Sequence, residues 1–174
     1  VVALLGNILA GAGSVLLVGS AIKNYGLERL GFRPLDRRWL YIALVLSVGL
    51  GLARGGLAAA IQALFPEFSS VGVELLEQGL INKENLFNAA LLFLLGGLVV
   101  PVAEELFFRG FVYDWMRNGL SAWPAIILSA LIFGAVHFVP LQVVLAFVMG
   151  LGLAWIYERS GTLWAPIMLH LSNN

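Results

Sequence analysis

The chain has 174 residues, 60% of them hydrophobic and 11% charged, with a mean hydropathy of +0.94. Soluble domains carry about 25% charged residues, so this composition excludes an ordinary soluble globule and predicts a polytopic membrane protein. Lys plus Arg and Asp plus Glu are both 10, which removes the basic excess of a nucleic-acid binder; with no cysteine there is no disulfide framework, thiol nucleophile or Cys-based zinc site. The length predicts one domain over 1–174. Val1 at the start, with no basic stretch before the first apolar run, points to a trimmed or partial chain rather than a signal peptide.

Residues from about 1 to 22 form a Gly-rich apolar run long enough to span a bilayer. The stretch from Lys23 to Arg38 then carries Lys23, Arg29, Arg33, Arg37 and Arg38 against Glu28 and Asp36. A short basic loop of this kind is expected on the cytoplasmic side. Trp39 and Tyr41 suit the interface that opens a second span, about 39 to 64. Arg54 interrupts that span. Either it snorkels or marks a ragged helix end, or it is the partner of a buried carboxylate.

Residues from about 65 to 85 are acidic, with Glu67, Glu74, Glu77 and Glu84 against Lys83. They suggest a surface loop on the opposite side, with a short amphipathic helix, that could act as a lid. A third span begins near Leu86 and is expected to run as one helix to about Arg117. That is roughly 48 Å, longer than the ~30 Å hydrocarbon core, so its end must tilt or project into water. A short fourth span covers about 122 to 138, with Pro124 in its permissive first turn. Pro140 starts a fifth, ending near Tyr157, and a sixth begins near Thr162 and is cut short at Asn174. Ala130 and Gly134, four apart, permit close helix packing. The fold class is therefore an all-α transmembrane bundle of about six spans, the last one truncated. The setting is a bacterial plasma membrane or its equivalent, with loop 23–38 cytoplasmic.

The polar residues within the spans are few. Glu104-Glu105-Leu106-Phe107-Phe108-Arg109 follows a long run without an ionisable group. Ionisable side chains at membrane depth are costly and mark function. On a helix, Glu105 and Arg109 can pair, while Glu104 is turned about 100° away and is left for chemistry. The two histidines, His137 and His170, both fall inside apolar helical stretches, and Asn174 stands four after His170. Counted from the helix ends, these groups share one slab of the bundle. A lone Glu-Arg pair is as often structural, and a lone histidine is more often a satisfied core residue. The combination is what argues for a site built from facing helices.

Glu-Glu-x-x-x-Arg, Phe-x-x-x-His (Phe133, His137) and His-x-x-x-Asn (His170, Asn174), in this order on successive helices, resemble the type II CAAX prenyl endopeptidases and their bacterial relatives. That superfamily is known as CPBP or Abi. The resemblance covers about residues 86 to 174. It implies an intramembrane endopeptidase in which Glu104 is the general base and His137 holds the water. His170 and Asn174 would donate to the oxyanion, Arg109 would pair with Glu105, and Phe133 would support the site. It further implies a membrane-associated peptide or protein substrate, prenylated in eukaryotic relatives, with the lipid bilayer as the other partner. A metal-free glutamate mechanism is favoured, with no cofactor. The alternative is zinc held by Glu104, His137 and His170, a His₂Glu set. Two other classes compete: a proton-coupled transporter relaying protons through Glu104, His137 and His170, and a non-catalytic immunity or scaffold protein.

Overall fold

A computed structural model of the chain describes Ser20, Lys23 and residues 31–66, 94–137 and 139–173. The expected first span, most of the acidic stretch with its lid, and Asn174 lie outside the described residues. Among the described residues the secondary structure is helical, with no strand.

Helix α1, Arg37–Leu64, is capped by Asp36, whose carboxylate accepts the Arg38 backbone N–H at 3.0 Å. That bond satisfies one of the free donors of the first turn. Its 28 residues pass through Arg54 unbroken, so the arginine does not end the helix. Tyr41, Val45, Val48 and Leu52 lie on one face and are exposed. On an apolar helix of this length, such a face suits lipid.

Residues 94–117 are helical throughout, as expected of the third span, but the winding changes along them. A π-helical turn, π1 (Leu95–Val99), leads into α2 (Val100–Phe107). A second, π2 (Phe108–Tyr113), leads into α3 (Asp114–Arg117). Pro101, in the first turn of α2, has no N–H to donate and its ring crowds the preceding turn. A wider turn just ahead of it relieves both problems.

Helix α4, Ala122–Ala135, leads through a turn to α5, Pro140–Ser160, and then to α6, Trp164–Leu171. Pro140 starts α5 and Gly161, at φ +66°, ends it in the left-handed conformation that favours glycine. Among the described residues, α1 and α5 are long and apolar enough to cross a membrane.

The packing centres on α5, which lies against α4, α1 and α6. The expected close approach through Ala130 and Gly134 is present. A Cβ on Gly150 would stand 3.0 Å from the Ala130 Cα, and one on Gly134 would stand 2.7 Å from the Val143 carbonyl oxygen. Backbone cannot move aside as a side-chain tip can. Gly134→Ala is therefore expected to destabilise the protein by about 1–3 kcal/mol through overpacking, read as a lower unfolding temperature in detergent.

The arginine-rich end of the bundle is tied by polar contacts. Arg117 grips Glu158 with two bonds of 3.1 Å, and Tyr113 donates to the same carboxylate at 2.8 Å. The segment before α1 crosses the α5–α6 turn. There Leu163 N–H donates to the Gly31 carbonyl at 2.8 Å and the Thr162 hydroxyl donates to the Arg33 carbonyl at 2.7 Å.

Candidate active site

Within α2 and π2, Glu105 and Arg109 are both fully buried. Arg109 Nη1 donates to Glu105 Oε1 at 3.0 Å, the i,i+4 pair expected from the spacing. Its Nη2 donates to the Gly150 carbonyl of α5 at 3.2 Å. The guanidinium also lies 4.7 Å from the centre of the Phe133 ring on α4, a cation–π contact. One side chain thus ties three helices to the carboxylate.

Glu105 has a further partner. Its Oε1 lies 2.8 Å from His170 Nδ1 on α6, 65 residues away in the chain. A carboxylate can only accept, so the imidazole donates from Nδ1. That fixes the ring and leaves Nε2 on its other side. Nε2 faces Glu104, whose Oε2 is 3.8 Å away. This is beyond a direct hydrogen bond and within the range a shared water could bridge. The two adjacent carboxylates therefore meet opposite edges of one histidine. Glu105 is sealed in the interior; Glu104 is only partly buried.

His137 is placed differently from expectation. Helix α4 ends at Ala135 with Val136 as its cap, so His137 stands in the turn beyond it and not inside an apolar helix. The reason is Pro140, whose preceding residue Val139 is driven to an extended backbone (φ −86°, ψ 122°). The fourth span is shorter than 122–138 accordingly. The His137 ring turns back to bond Phe133: its Nδ1 lies 2.8 Å from that carbonyl oxygen, filling a vacancy left by the end of the helix. Phe133 sits edge-on to both imidazoles, with ring centres 5.0 Å from His137 and 5.9 Å from His170.

The structure thus brings Glu105, Arg109 and His170 into direct contact, sets Glu104 3.8 Å from His170, and joins His137 to them through Phe133. Asn174 lies outside the described residues. Among the described residues, no three His, Asp or Glu side chains converge as metal ligands do.

Sequence reasoning missed two contributors. Ser47 on α1 is buried and ties that helix to the end of α6: its hydroxyl donates to the Ser172 carbonyl at 3.3 Å, and Asn173 Nδ2 donates to the Ser47 carbonyl at 3.3 Å. A lone hydroxyl residue within an apolar span was the available signal. The Gly150 carbonyl, a backbone acceptor, left no signal in residue type. Arg54 has no carboxylate partner among the described residues, and its Nε is buried without a hydrogen bond.

Residues 86–174 match the family described as "Type II CAAX prenyl endopeptidase Rce1-like". A relative from Bacillus subtilis (strain 168), named "Putative membrane peptidase YdiL", is 31% identical over 84 residues. The match covers 48% of this chain and 34% of that relative. No solved structure matches the chain.

Proposed function

Since this chain belongs to the Rce1-like family of type II CAAX prenyl endopeptidases, a family of membrane proteases, we propose that it hydrolyses a peptide bond of a membrane-associated protein or peptide using a water activated by Glu104. The observation that supports this reading most is the division of labour between two neighbouring carboxylates. Glu105 gives its Oε1 to both Arg109 and His170, and its Oε2 is buried. Glu104 faces the opposite edge of the same imidazole at 3.8 Å and is placed to receive a proton.

In the proposed reaction Glu104 takes a proton from water as the oxygen attacks the scissile carbonyl. His137, with Nδ1 engaged by Phe133, offers Nε2 to hold and orient that water. His170 donates from Nε2 to the developing oxyanion, and Glu105 at Nδ1 stabilises the cationic ring this requires. Asn174 serves as a second oxyanion donor. Collapse of the tetrahedral intermediate breaks the C–N bond, and Glu104 returns its proton to the leaving amine. Each function is one that amide hydrolysis needs: a base, a positioned water and oxyanion donors. An extended substrate would enter a wet cavity between the helices, since unpaired backbone is not tolerated in lipid.

In this reading the bundle has about six spans and its arginine-rich end is cytoplasmic, following the distribution of Lys and Arg. The mechanism uses no metal. The test is cleavage of a reporter peptide by the purified protein in detergent, with metal content measured in the same preparation. Turnover is expected to survive exhaustive chelation. Loss of turnover on chelation with recovery on adding zinc would replace the glutamate mechanism, and proton flux without a peptide product would replace the hydrolase.

A further inference from the structure

Three of the chain's 5 tryptophans line one cavity of about 620 Å³. Trp39 comes from the start of α1, Trp123 from the start of α4 and Trp155 from the last part of α5, so the cavity lies at the arginine-rich end of the bundle. Arg38, Glu158 and Arg159 line it as well. An apolar cleft of about 300 Å³ continues from it: Trp123, Ile126 and Trp155 line both, and Leu46, Leu50, Leu151 and Gly152 line the cleft alone. Helix α1 forms one wall, α4 the other and α5 the floor. The candidate active site is elsewhere. None of its residues lines either space, and Gly152 points about half a revolution away from Gly150, whose carbonyl takes Arg109.

The wide end is cationic. Arg159 is exposed and has no ion-pair partner among the described residues. Arg38 meets Asp36 through Nε at 3.0 Å, with both side chains more than half exposed, a pair that contributes little in water. Its guanidinium also lies 5.5 Å from the Trp39 ring. Glu158 does not neutralise these two arginines, because both its oxygens are held by Arg117 and one also by Tyr113. The narrow end is apolar and deep. Ile42, Leu46 and Leu50 stand four apart on one face of α1, and the rise from Trp39 to Leu50 is about 16 Å, half of the ~30 Å hydrocarbon core. The two spaces together therefore run from the interface through one leaflet.

We propose that the cavity and its cleft hold one anionic phospholipid, with the phosphate at Arg38 and Arg159 and an acyl chain along Leu46, Leu50 and Leu151. The planar fork of a guanidinium matches phosphate oxygens with paired bonds. Tryptophan rings belong at headgroup level, and basic pockets between membrane helices take anionic headgroups. Each half of the site excludes a simpler occupant. A free phosphate would leave the apolar cleft unfilled, and a neutral lipid would leave the two arginines without an anion. A polypeptide strand in the cleft would bring backbone groups with no polar side chain to pair them except indole N–H. The bound lipid fills the space between α1 and α4, and so fastens α1 to the rest of the bundle. The proposal does not depend on the peptidase reading.

The experiment adds phosphatidylglycerol or phosphatidylcholine, with identical acyl chains, to the delipidated full chain in an uncharged detergent. Bound lipid is counted by native mass spectrometry and the unfolding temperature is followed in parallel. Phosphatidylglycerol is expected to bind at least about 10-fold more tightly, as two basic groups at a headgroup imply, and to raise the unfolding temperature further. Replacing both Arg38→Gln and Arg159→Gln should bring the two lipids to the same affinity. Arg37→Gln removes an exposed neighbouring charge that does not line the cavity, and should leave the preference unchanged. Leu46→Trp fills the cleft and should weaken both lipids. Equal binding of the two lipids to the unaltered protein overturns the proposal. So does an equal loss of preference in Arg37→Gln, which would mean diffuse surface attraction. Unchanged lipid affinity in folded Leu46→Trp would take the acyl chain out of the cleft, and displacement of phosphatidylglycerol by an equal concentration of inorganic phosphate would make this a site for small anions; either result also overturns it.

Discussion

Glu104→Gln is expected to lower kcat on a reporter peptide by about 10²–10⁴-fold, the usual contribution of a general base, while leaving the fold intact. The amide is isosteric and cannot accept the proton of the attacking water. Stability should scarcely move, because Glu104 forms no direct hydrogen bond to His170, whose Nε2 lies 3.8 Å away. Unfolding temperature and single-turnover cleavage, measured on one preparation, separate the two effects. Unchanged cleavage by the folded variant would remove Glu104 from the mechanism.

Arg109→Ala should do the reverse and strike the fold first. It removes a fully buried cation that bonds Glu105, the Gly150 carbonyl and the face of Phe133. Glu105 is left as a buried charge with only His170. Breaking such a pair from one side costs about 3–5 kcal/mol, a large part of the stability of a small domain. Replacing both partners by apolar residues, Glu105→Leu with Arg109→Met, should recover much of that loss, because no uncompensated charge remains. It should not recover cleavage, since His170 then has nothing to hold its Nδ1. Melting curves of the single and double variants test the first statement and turnover of the double variant tests the second. A double variant as unstable as Arg109→Ala would show that the Gly150 and Phe133 contacts, rather than the stranded charge, dominate.

The parts of this arrangement that were legible in the sequence are those a single helix determines by itself. The Glu105–Arg109 pair follows from a spacing of four, α1 and α5 follow from apolar length, and the close approach of α4 and α5 follows from small residues at Ala130 and Gly134. What escaped was decided between helices. Nothing local says that the carboxylate already paired with Arg109 would also take the ring of His170, 65 positions later. Nor does residue type announce that a glycine carbonyl would receive the other arm of the guanidinium. The placement of His137 failed for a local reason. Pro140 was read as the start of the next helix, but its constraint on the residues before it also ends α4 at Ala135. The family resemblance supplied the roles of Glu104 and His170. The structure adds the contact that distinguishes Glu104 from its neighbour.

The two wide turns around α2 carry a consequence for how this helix can vary. Each π-turn spends one more residue per revolution than an α-turn would, which shifts the angular phase of everything beyond it by about 100°. Glu104 and Glu105 sit between π1 and π2, on the regularly wound segment. The stretch leading in and the Tyr113–Arg117 foot that clasps Glu158 can thus each be rotated to suit its own neighbours while the acidic pair keeps its bearing on His170.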